Sequence, residues 1–228
     1  MEKLTISIAA IGIGFFLGKY YTNTNNQESS SKKTAKQIIR KAYAERATET
    51  TSCCGGGDHN SSVSTTALSL GYSKSDVDEF SGKDGTNLGE SCGNPISFAN
   101  IQPGETIVDL GSGAGFDVLI ASKIVETNGK VIGIDMTPEM IDRARRNASR
   151  RQLFNVEFRL GEIEHLPIAN DTINCLISNC VINLAQDKRQ VYKEALRVLK
   201  PGGRIAISDV LATDELPDRL KNEKALAC

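Results

Sequence analysis

The 228-residue chain lacks several features that mark common functional classes. It has only two histidines, His59 and His165, which are too few and too far apart for a typical zinc enzyme. Its 27 basic and 28 acidic residues nearly cancel, so the net charge of -1 gives no basis for binding nucleic acid. No apolar run reaches the roughly 20 residues that a membrane-spanning helix needs. The length suits one α/β domain with polar appendages.

The longest apolar run covers residues 4–18 and is uncharged. Lysines are concentrated after this run, which favours keeping the rest of the chain on the cytoplasmic side. The sequence therefore predicts a cytoplasmic protein, with two alternatives for residues 1–31. Either the run tethers the chain to the cytoplasmic face of a membrane, or it is a disordered leader followed by a polar linker.

Periodic apolar positions predict the organisation of the remaining chain. Residues 32–66 are expected to form an N-terminal helix over 32–47 and then a Cys- and Gly-rich loop without regular structure. Residues 67–228 are expected to form one domain with strands at 106–110, 130–134, 156–160, 173–178 and 204–210, and a helix between each successive pair. Such alternation indicates parallel βαβ units, hence an α/β, Rossmann-like sheet flanked by helices. Nothing after residue 210 is typical of a further strand, so this domain is expected to be C-terminally incomplete, truncated after the fifth strand.

A glycine-rich loop follows the first of these strands. Asp109-Leu110-Gly111-Ser112-Gly113-Ala114-Gly115 lies between a predicted strand and a predicted helix, where glycines allow a tight turn and close approach of backbone amides to a ligand. Asp135 ends the second strand at about the spacing of 20 residues expected for a ribose-binding carboxylate. The loop therefore predicts a nucleotide-type cofactor site.

Cysteine is the other informative residue type. Six cysteines in a chain without secretory features favour free or reactive thiols over a disulfide framework. Cys92 precedes a Gly-Asn-Pro turn, and Cys180 follows the fourth predicted strand, where residues face the ligand crevice of a parallel sheet. Cys175, within that strand, is expected to pack in the core, and core packing is also the alternative for Cys180. The remaining cysteines are Cys53 and Cys54 in the Gly-rich loop and Cys228 at the last position.

Four segments in order resemble class I S-adenosylmethionine-dependent methyltransferases: the glycine loop, Gly133-Ile134-Asp135-Met136, Gly161-Glu162-Ile163-Glu164-His165-Leu166-Pro167 and Leu199-Lys200-Pro201-Gly202-Gly203. The resemblance implies S-adenosylmethionine as cofactor. It assigns the methionine part to Asp109, Gly111 and Gly113, the ribose to Asp135, and the adenine to Glu162 and Ile163. Met136 and Asn179 are implied as further cofactor contacts.

Two cysteine segments narrow the resemblance to arsenite methyltransferases. These are Ser178-Asn179-Cys180-Val181-Ile182-Asn183-Leu184 and Cys92-Gly93-Asn94-Pro95. The resemblance implies that Cys92, Cys180 and Cys228 bind trivalent arsenic, supplied as arsenite or its glutathione conjugate, for detoxification by methylation. It also implies that Cys53 or Cys54 pairs with Cys92 after turnover and that a thioredoxin-type reductant resets the pair.

Two other functions stay open at this point. One is a non-catalytic relative that binds arsenic or the cofactor. The other is a class I methyltransferase acting on an organic small molecule, which needs a base to remove a proton from its acceptor. The sequence disfavours the second because no base candidate accompanies the loop, whereas the lone pair of trivalent arsenic needs none.

Overall fold

The computed structural model describes residues 5–9, 34–48, 59–81 and 85–211 of the chain. Within these ranges the strands are β1 (Thr5–Ala9), β2 (Thr106–Leu110), β3 (Lys130–Asp135), β4 (Val156–Leu160), β5 (Ile173–Asn179) and β6 (Leu199–Ser208). The helices are α1 (Ala35–Thr48), α2 (His59–Ser69), α3 (Lys74–Phe80), α4 (Phe116–Val125), α5 (Pro138–Arg150) and α6 (Lys188–Val198). Short 3₁₀ turns cover Pro95–Ser97 and Ile182–Leu184.

The strands form one parallel sheet in the order β1-β6-β5-β2-β3-β4. The predicted α/β, Rossmann-like class is confirmed, and α4, α5 and α6 are the crossovers that follow β2, β3 and β5. The expected helix between β4 and β5 is wrong. Residues 161–172 instead form a turn closed by a bridge between Glu162 and His165, where Gly161 lies too close to the Pro167 ring to accept a Cβ.

The strand order places a switch point at the middle of the sheet. The neighbours of β2 are β3 on one side and β5 on the other. The chain therefore continues from β2 to β3 and β4 on one side of the sheet, and then crosses to β5 and β6 on the other side. The carboxyl ends of β2 and β5 lie side by side, with Leu110 paired to Ser178. Ligands of open α/β sheets bind in the crevice at such a point.

Both faces of the central strands are buried, because successive residues of β2 pack into different hydrophobic clusters on opposite faces of the sheet. Ile107 packs with α4 residues such as Val118 in one cluster, whereas Val108 packs with α6 residues such as Val191 in the other. A strand covered on both faces is rich in apolar residues, as β2 is at Ile107, Val108 and Leu110. The sheet is thereby a rigid platform for the loops at its carboxyl edge.

The N-terminal part departs from the sequence predictions in two ways. The loop expected up to residue 66 is wrong from residue 59 onward, because α2 begins there and buries Ala67 in the core. Within the apolar run, Thr5–Ala9 forms β1 and pairs with β6, although the run was expected to lie outside the sheet. Among the residues that the structure describes, no helix is both long and apolar enough to cross a bilayer. The predicted division at residues 31 and 66 stays a prediction.

Boundaries elsewhere follow the sequence closely. The N-terminal helix predicted over 32–47 is observed as α1, and α5 begins at Pro138, a position where the missing N–H of proline has no helical partner to lose. The last strand begins earlier and ends earlier than predicted, since Leu199 already pairs with Ile173 and the pairing stops at Ser208.

Candidate functional site

A cleft of about 1100 Å³, open to solvent, lies at the carboxyl edge of the sheet. Its walls come from the loop after β2, the ends of β3 and β5, the turn after β4, and one side of α1. Of the site residues predicted from the sequence, it is lined by Asp109, Gly111, Gly113, Asp135, Met136, Ile163, Asn179 and Cys180. The structure thus brings most of the predicted cofactor residues together with one predicted arsenic ligand.

The glycine loop forms the floor of the cleft. Gly111 and Gly113 have positive φ angles of 67° and 51°, a region that glycine adopts without steric cost. A Cβ on Gly111 would lie 2.5 Å from Cγ2 of Val181, so this glycine is also required by close packing. The amide of Gly113 donates to the Asp135 carboxylate at 3.0 Å. The loop after β2 is therefore fixed to the ends of both β3 and β5.

Three acids surround this floor, of which Asp109 and Asp117 are buried and Asp135 is half-buried. Asp109 is only 3% exposed, and burial together with the nearby charges of Asp117 and Asp135 raises its pKa. Burial also raises the pKa of Asp117 and of Asp135, although hydrogen bonds to each carboxylate oppose the shift. Closely spaced buried carboxylates are stabilised by a cation. The site is therefore suited to a ligand with positive charge.

Asn179 connects the cofactor side of the cleft to Cys92. Its Nδ2 donates to Asp117 Oδ2 at 3.0 Å and to the Gly93 carbonyl at 3.0 Å. Its Oδ1 accepts from the backbone N–H of Cys92 at 3.2 Å. Tyr72 completes the network by donating to Asp117 Oδ1 at 2.7 Å. Because donors and acceptors are paired in this way, the Asn179 amide has one orientation, and that orientation positions the Cys92 segment.

Two cysteines and an acid converge beside the cleft, and of the three only Cys180 lines it, so the predicted site residue Cys92 lies next to the cleft lining. Cys180 directly follows β5 with a left-handed φ of 58°, and its N–H donates to the Ser208 carbonyl at 2.8 Å. A ligand atom from each of Cys92, Cys180 and Asp209 lies within 4.8 Å of the other two. A left-handed backbone is uncommon for a residue other than glycine and is often found at functional positions.

The two thiols influence each other's pKa. A hydrogen bond from Cys180 lowers the pKa of Cys92, whereas the same bond and burial raise the pKa of Cys180 well above its ordinary range. Burial also raises the pKa of Asp209, whose carboxylate accepts from the backbone N–H of Asn183 and of Val210. Cys92 is therefore the more nucleophilic of the pair.

Helix α1 covers one side of the cleft. Ile39 and Tyr43 face the cavity, and ion pairs hold the helix, from Lys36 to Glu162 at 2.7 Å and from Arg46 to Glu90 at 3.4 Å. Burial raises the pKa of Tyr43 to about 12. The sequence showed no base candidate near the loop, but the structure places Glu90 and Tyr43 along the cleft.

Some predicted site residues are not brought into the cleft. Glu162 does not line it: its carboxylate forms an ion pair with Lys36, and it is Gly161, Ile163 and Glu164 that belong to the wall. Cys175 is fully buried in the core, as expected. Cys53, Cys54 and Cys228 lie outside the described residues.

Sequence reasoning missed three participants. Asp209 directly follows β6, so the rule that applied to Cys180, that residues just past parallel strand ends face the crevice, also applied to it. Asp117 is in the first turn of α4, and Tyr72 lies in the turn between α2 and α3. No local pattern marks these two, because only the fold brings them to Asn179.

The parallel sheet, the glycine loop at the switch point and the acid at the end of β3 define a Rossmann-like cofactor-binding domain of the class I methyltransferase kind. A family model described as a methyltransferase domain matches residues 101–228, more than half of the chain. The chain belongs to this family.

Curated methyltransferases and a solved methyltransferase structure are also similar to this chain. An arsenite methyltransferase of Halobacterium salinarum is 56% identical over 149 residues, covering 65% of this chain and 38% of the relative. The human arsenite methyltransferase is 43% identical over 129 residues, covering 53% of this chain and 34% of the relative. The crystal structure of an arsenic(III) S-adenosylmethionine methyltransferase from Chlamydomonas reinhardtii matches with a TM-score of 0.53 and 36% identity, over 70% of this chain and 52% of that chain. The chain thus spans between a third and two fifths of the length of these curated relatives.

The cleft residues fit S-adenosylmethionine, the cofactor of class I methyltransferases. The acids Asp109 and Asp135 suit its ammonium and ribose hydroxyls, and the apolar side chains of Met136, Met140 and Ile163 suit its adenine. The hydroxyl of Ser112 is buried with no partner among the described residues, which leaves a hydrogen-bonding group for a ligand at the loop. Gly113 has open space where a Cβ would stand.

Proposed function

We propose that this chain transfers the methyl group of S-adenosylmethionine to trivalent arsenic held by cysteine thiolates. The observation that carries the proposal is the position of Cys180: it lines the cofactor cleft, and its Sγ atom lies within 4.8 Å of that of a second thiol, Cys92. Soft thiolates suit a soft, thiophilic centre. The names of the relatives support this substrate class.

Capture of arsenite follows from the state of the two thiols. Each arsenic–sulfur bond forms as a thiol proton and an arsenic-bound hydroxyl leave together as water. Cys92, whose pKa is lowered, attacks first, and Cys180 then closes the chelate. Asn179 holds the Cys92 segment during capture through its backbone amide.

S-Adenosylmethionine supplies an electrophilic methyl group on a positively charged sulfur. The arsenic lone pair forms the new arsenic–carbon bond, and the electrons of the broken carbon–sulfur bond remain on the departing sulfur. No proton has to be removed, so the protein's part is to align the arsenic and keep water out. Tyr43 and Ile39 of α1 cover the cleft and serve the second task.

The partners proposed from the sequence complete the cycle. Cys228 is a third arsenic ligand, and glutathione delivers the arsenic. Methyl transfer formally oxidises arsenic by two electrons, which Cys92 and either Cys53 or Cys54 return by forming a disulfide. A thioredoxin-type reductant then reduces that disulfide, as a cytoplasmic location would permit.

The test is arsenic speciation after incubating the purified protein with arsenite, S-adenosylmethionine and glutathione. We expect methylated arsenic from the unmodified chain and none from Cys180→Ser. Cys175→Ser is the matched control, because Cys175 is buried in the core and outside the cleft lining, so its methylation should persist.

Retained methylation in Cys180→Ser would contradict the assignment. Arsenite that binds without any methylated product would identify an arsenic-binding protein instead. A methyl group transferred from labelled cofactor to an organic acceptor in arsenic-free extract would identify a different methyltransferase, with Glu90 as its candidate base.

A further inference from the structure

One group of possible metal ligands combines two thiols with a carboxylate, from Cys92, Cys180 and Asp209. The carboxylate distinguishes it from a site made of sulfur ligands alone. The three ligand atoms all lie within 4.8 Å of one another, and all three residues are half-buried. Trivalent arsenic is bound by soft donors, and an aspartate adds little to such a set. A borderline divalent cation accepts both thiolate and carboxylate. The third member of the cluster therefore indicates a second kind of ligand.

The cluster is built from three chain segments that hold one another in place. The Cys180 amide donates to the Ser208 carbonyl, and the Cys92 amide donates to Asn179. Gly93 is pressed against Ser208, since a Cβ on Gly93 would lie 1.8 Å from the serine hydroxyl. The three donors are thus presented by the ends of β5 and β6 and by a turn packed on them. A site fixed in this way needs little rearrangement to bind an ion.

The spacing suits tetrahedral coordination. Zinc–sulfur bonds of about 2.3 Å and zinc–oxygen bonds of about 2.0 Å separate neighbouring ligand atoms by roughly 3.5–3.8 Å. The present separations of at most 4.8 Å exceed this by no more than about 1.3 Å, which small side-chain rotations can close. Three protein ligands leave the fourth position to water or to an external thiol.

One positive charge, that of Lys188, acts on Asp209 from the described part of the chain. The Asp209 carboxylate accepts backbone N–H groups from Asn183 and Val210, and the amide of Ile182 also acts on it. Two carboxylate oxygens offer about four acceptor sites, so at least one remains for a metal ion. Lys188 is the cation nearby in the described part of the chain. Its ammonium donates to the carbonyls of Asn183 and Ala185 rather than forming an ion pair with Asp209. Two thiolates and a carboxylate would carry three negative charges, which a dication offsets.

We propose that Cys92, Cys180 and Asp209 bind a divalent thiophilic cation of the zinc and cadmium class. The ion occupies both thiols that capture arsenite, so, given the proposed function, it inhibits the enzyme in competition with arsenite and not with S-adenosylmethionine. Metal binding itself rests on the cluster alone and requires neither arsenite nor cofactor.

Cobalt(II) is the probe, because a thiolate-bound tetrahedral cobalt ion shows a sulfur-to-metal charge-transfer band. We expect the reduced full chain to bind one equivalent, and zinc to displace it. Loss of outer-shell partners alone weakens metal sites by roughly 10–100-fold. Removing a direct ligand in Asp209→Asn should therefore weaken cobalt binding by at least about tenfold. Asp142→Asn, an exposed position on α5, is the charge-matched control and should bind as the unmodified chain does.

The other cysteines need their own control. A Cys53→Ser, Cys54→Ser, Cys228→Ser triple variant should retain the cobalt band, and Cys180→Ser should lose it. Unchanged affinity in Asp209→Asn, or loss of the band in the triple variant, would overturn the proposal. X-ray absorption spectroscopy of the zinc-loaded chain identifies the ligands directly, without any substitution. Two sulfur ligands together with oxygen ligands would support the site, and three or four sulfur ligands would exclude the aspartate.

The experiments distinguish an absent metal site from an absent methyltransferase activity. Cobalt bound by a chain that makes no methylated arsenic would leave the metal site standing. Methylation without any cobalt binding would refute the metal site and leave arsenic chemistry in place. Inhibition by zinc that rising S-adenosylmethionine relieves completely, and that arsenite does not relieve, would place the ion on the cofactor ligands and not on the two thiols, and would overturn the assignment.

Discussion

Gly111 and Gly113 offer a matched pair for testing how the cofactor loop is held. Both have left-handed φ angles, so alanine at either position costs about 1–2 kcal/mol of stability from backbone strain. They differ in surroundings. A Cβ at Gly111 would meet Val181 at 2.5 Å, whereas Gly113 has nothing within 4 Å. Forcing an extra carbon into packed surroundings adds about 1–3 kcal/mol. Gly111→Ala should therefore lose about 2–5 kcal/mol and Gly113→Ala about 1–2 kcal/mol.

The assay is equilibrium unfolding in urea without cofactor, which separates the stability effect from any loss of ligand contacts. Because Val181 follows Cys180, Gly111→Ala should also change the alkylation rate of Cys180, and Gly113→Ala should leave it unchanged. Equal destabilisation by the two variants would refute the argument, since it would mean that the contact between the loop and Val181 contributes nothing.

Three further results are expected. Cys180→Ala removes the hydrogen bond that lowers the pKa of Cys92, so alkylation of Cys92 at neutral pH, followed by mass spectrometry, should slow; an unchanged rate would contradict this effect of Cys180 on Cys92. Asn179→Ala leaves the buried Asp117 carboxylate short of a donor and should reduce the free energy of unfolding, measured in urea, by about 1–3 kcal/mol. Unchanged stability would show that this carboxylate does not need the donor from Asn179. Ion pairs with Arg159 and Lys130 lower the pKa of Glu157 from 4.5 to about 2. The ionised carboxylate therefore contributes its full stabilisation of the fold above pH 4.5, and this contribution is lost as the pH falls from 4.5 to about 2. Glu157→Gln should flatten this acid limb in thermal unfolding, and an identical pH profile would count against it.

The sequence predicted the sheet well because its strands are local patterns. β2 and β4 begin and end where predicted, since each is a short apolar or alternating run bounded by turn residues. The α2 helix was missed because Ser and Thr dominate it, and these residues weakly favour turns. Burial of Ala67 and packing of Val63 against Gly89 stabilise the helix instead. Such contacts between distant segments are not visible in local composition.

The residues of the candidate site also fall into two groups, those that stand in a local motif and those that only the fold brings together. Cys92, Cys180 and the glycine loop stand in short motifs, so the sequence reveals them. Asp209 and Asp117 carry no motif, and their roles come from neighbours that only the sheet brings near. Even Glu162, which has a motif, does not line the cleft and instead forms an ion pair with Lys36 of α1. A motif identifies which residues are present at a site, but not which atoms face it.

The cofactor loop and the thiol cluster are one mechanical unit. Gly111 packs on Val181, the residue after Cys180, and the Cys180 amide is bonded to the Ser208 carbonyl, one residue before Asp209. Asn179, on the other side of Cys180, joins the same segment to Asp117 and to Cys92. A shift of the loop on ligand binding must therefore move Cys180 relative to its partners. Interior packing resists such a shift, since it has little free volume. The thiols are positioned by the same contacts that form the cofactor cleft, so the affinity of the cluster for arsenic or a metal ion should depend on whether the cleft is filled.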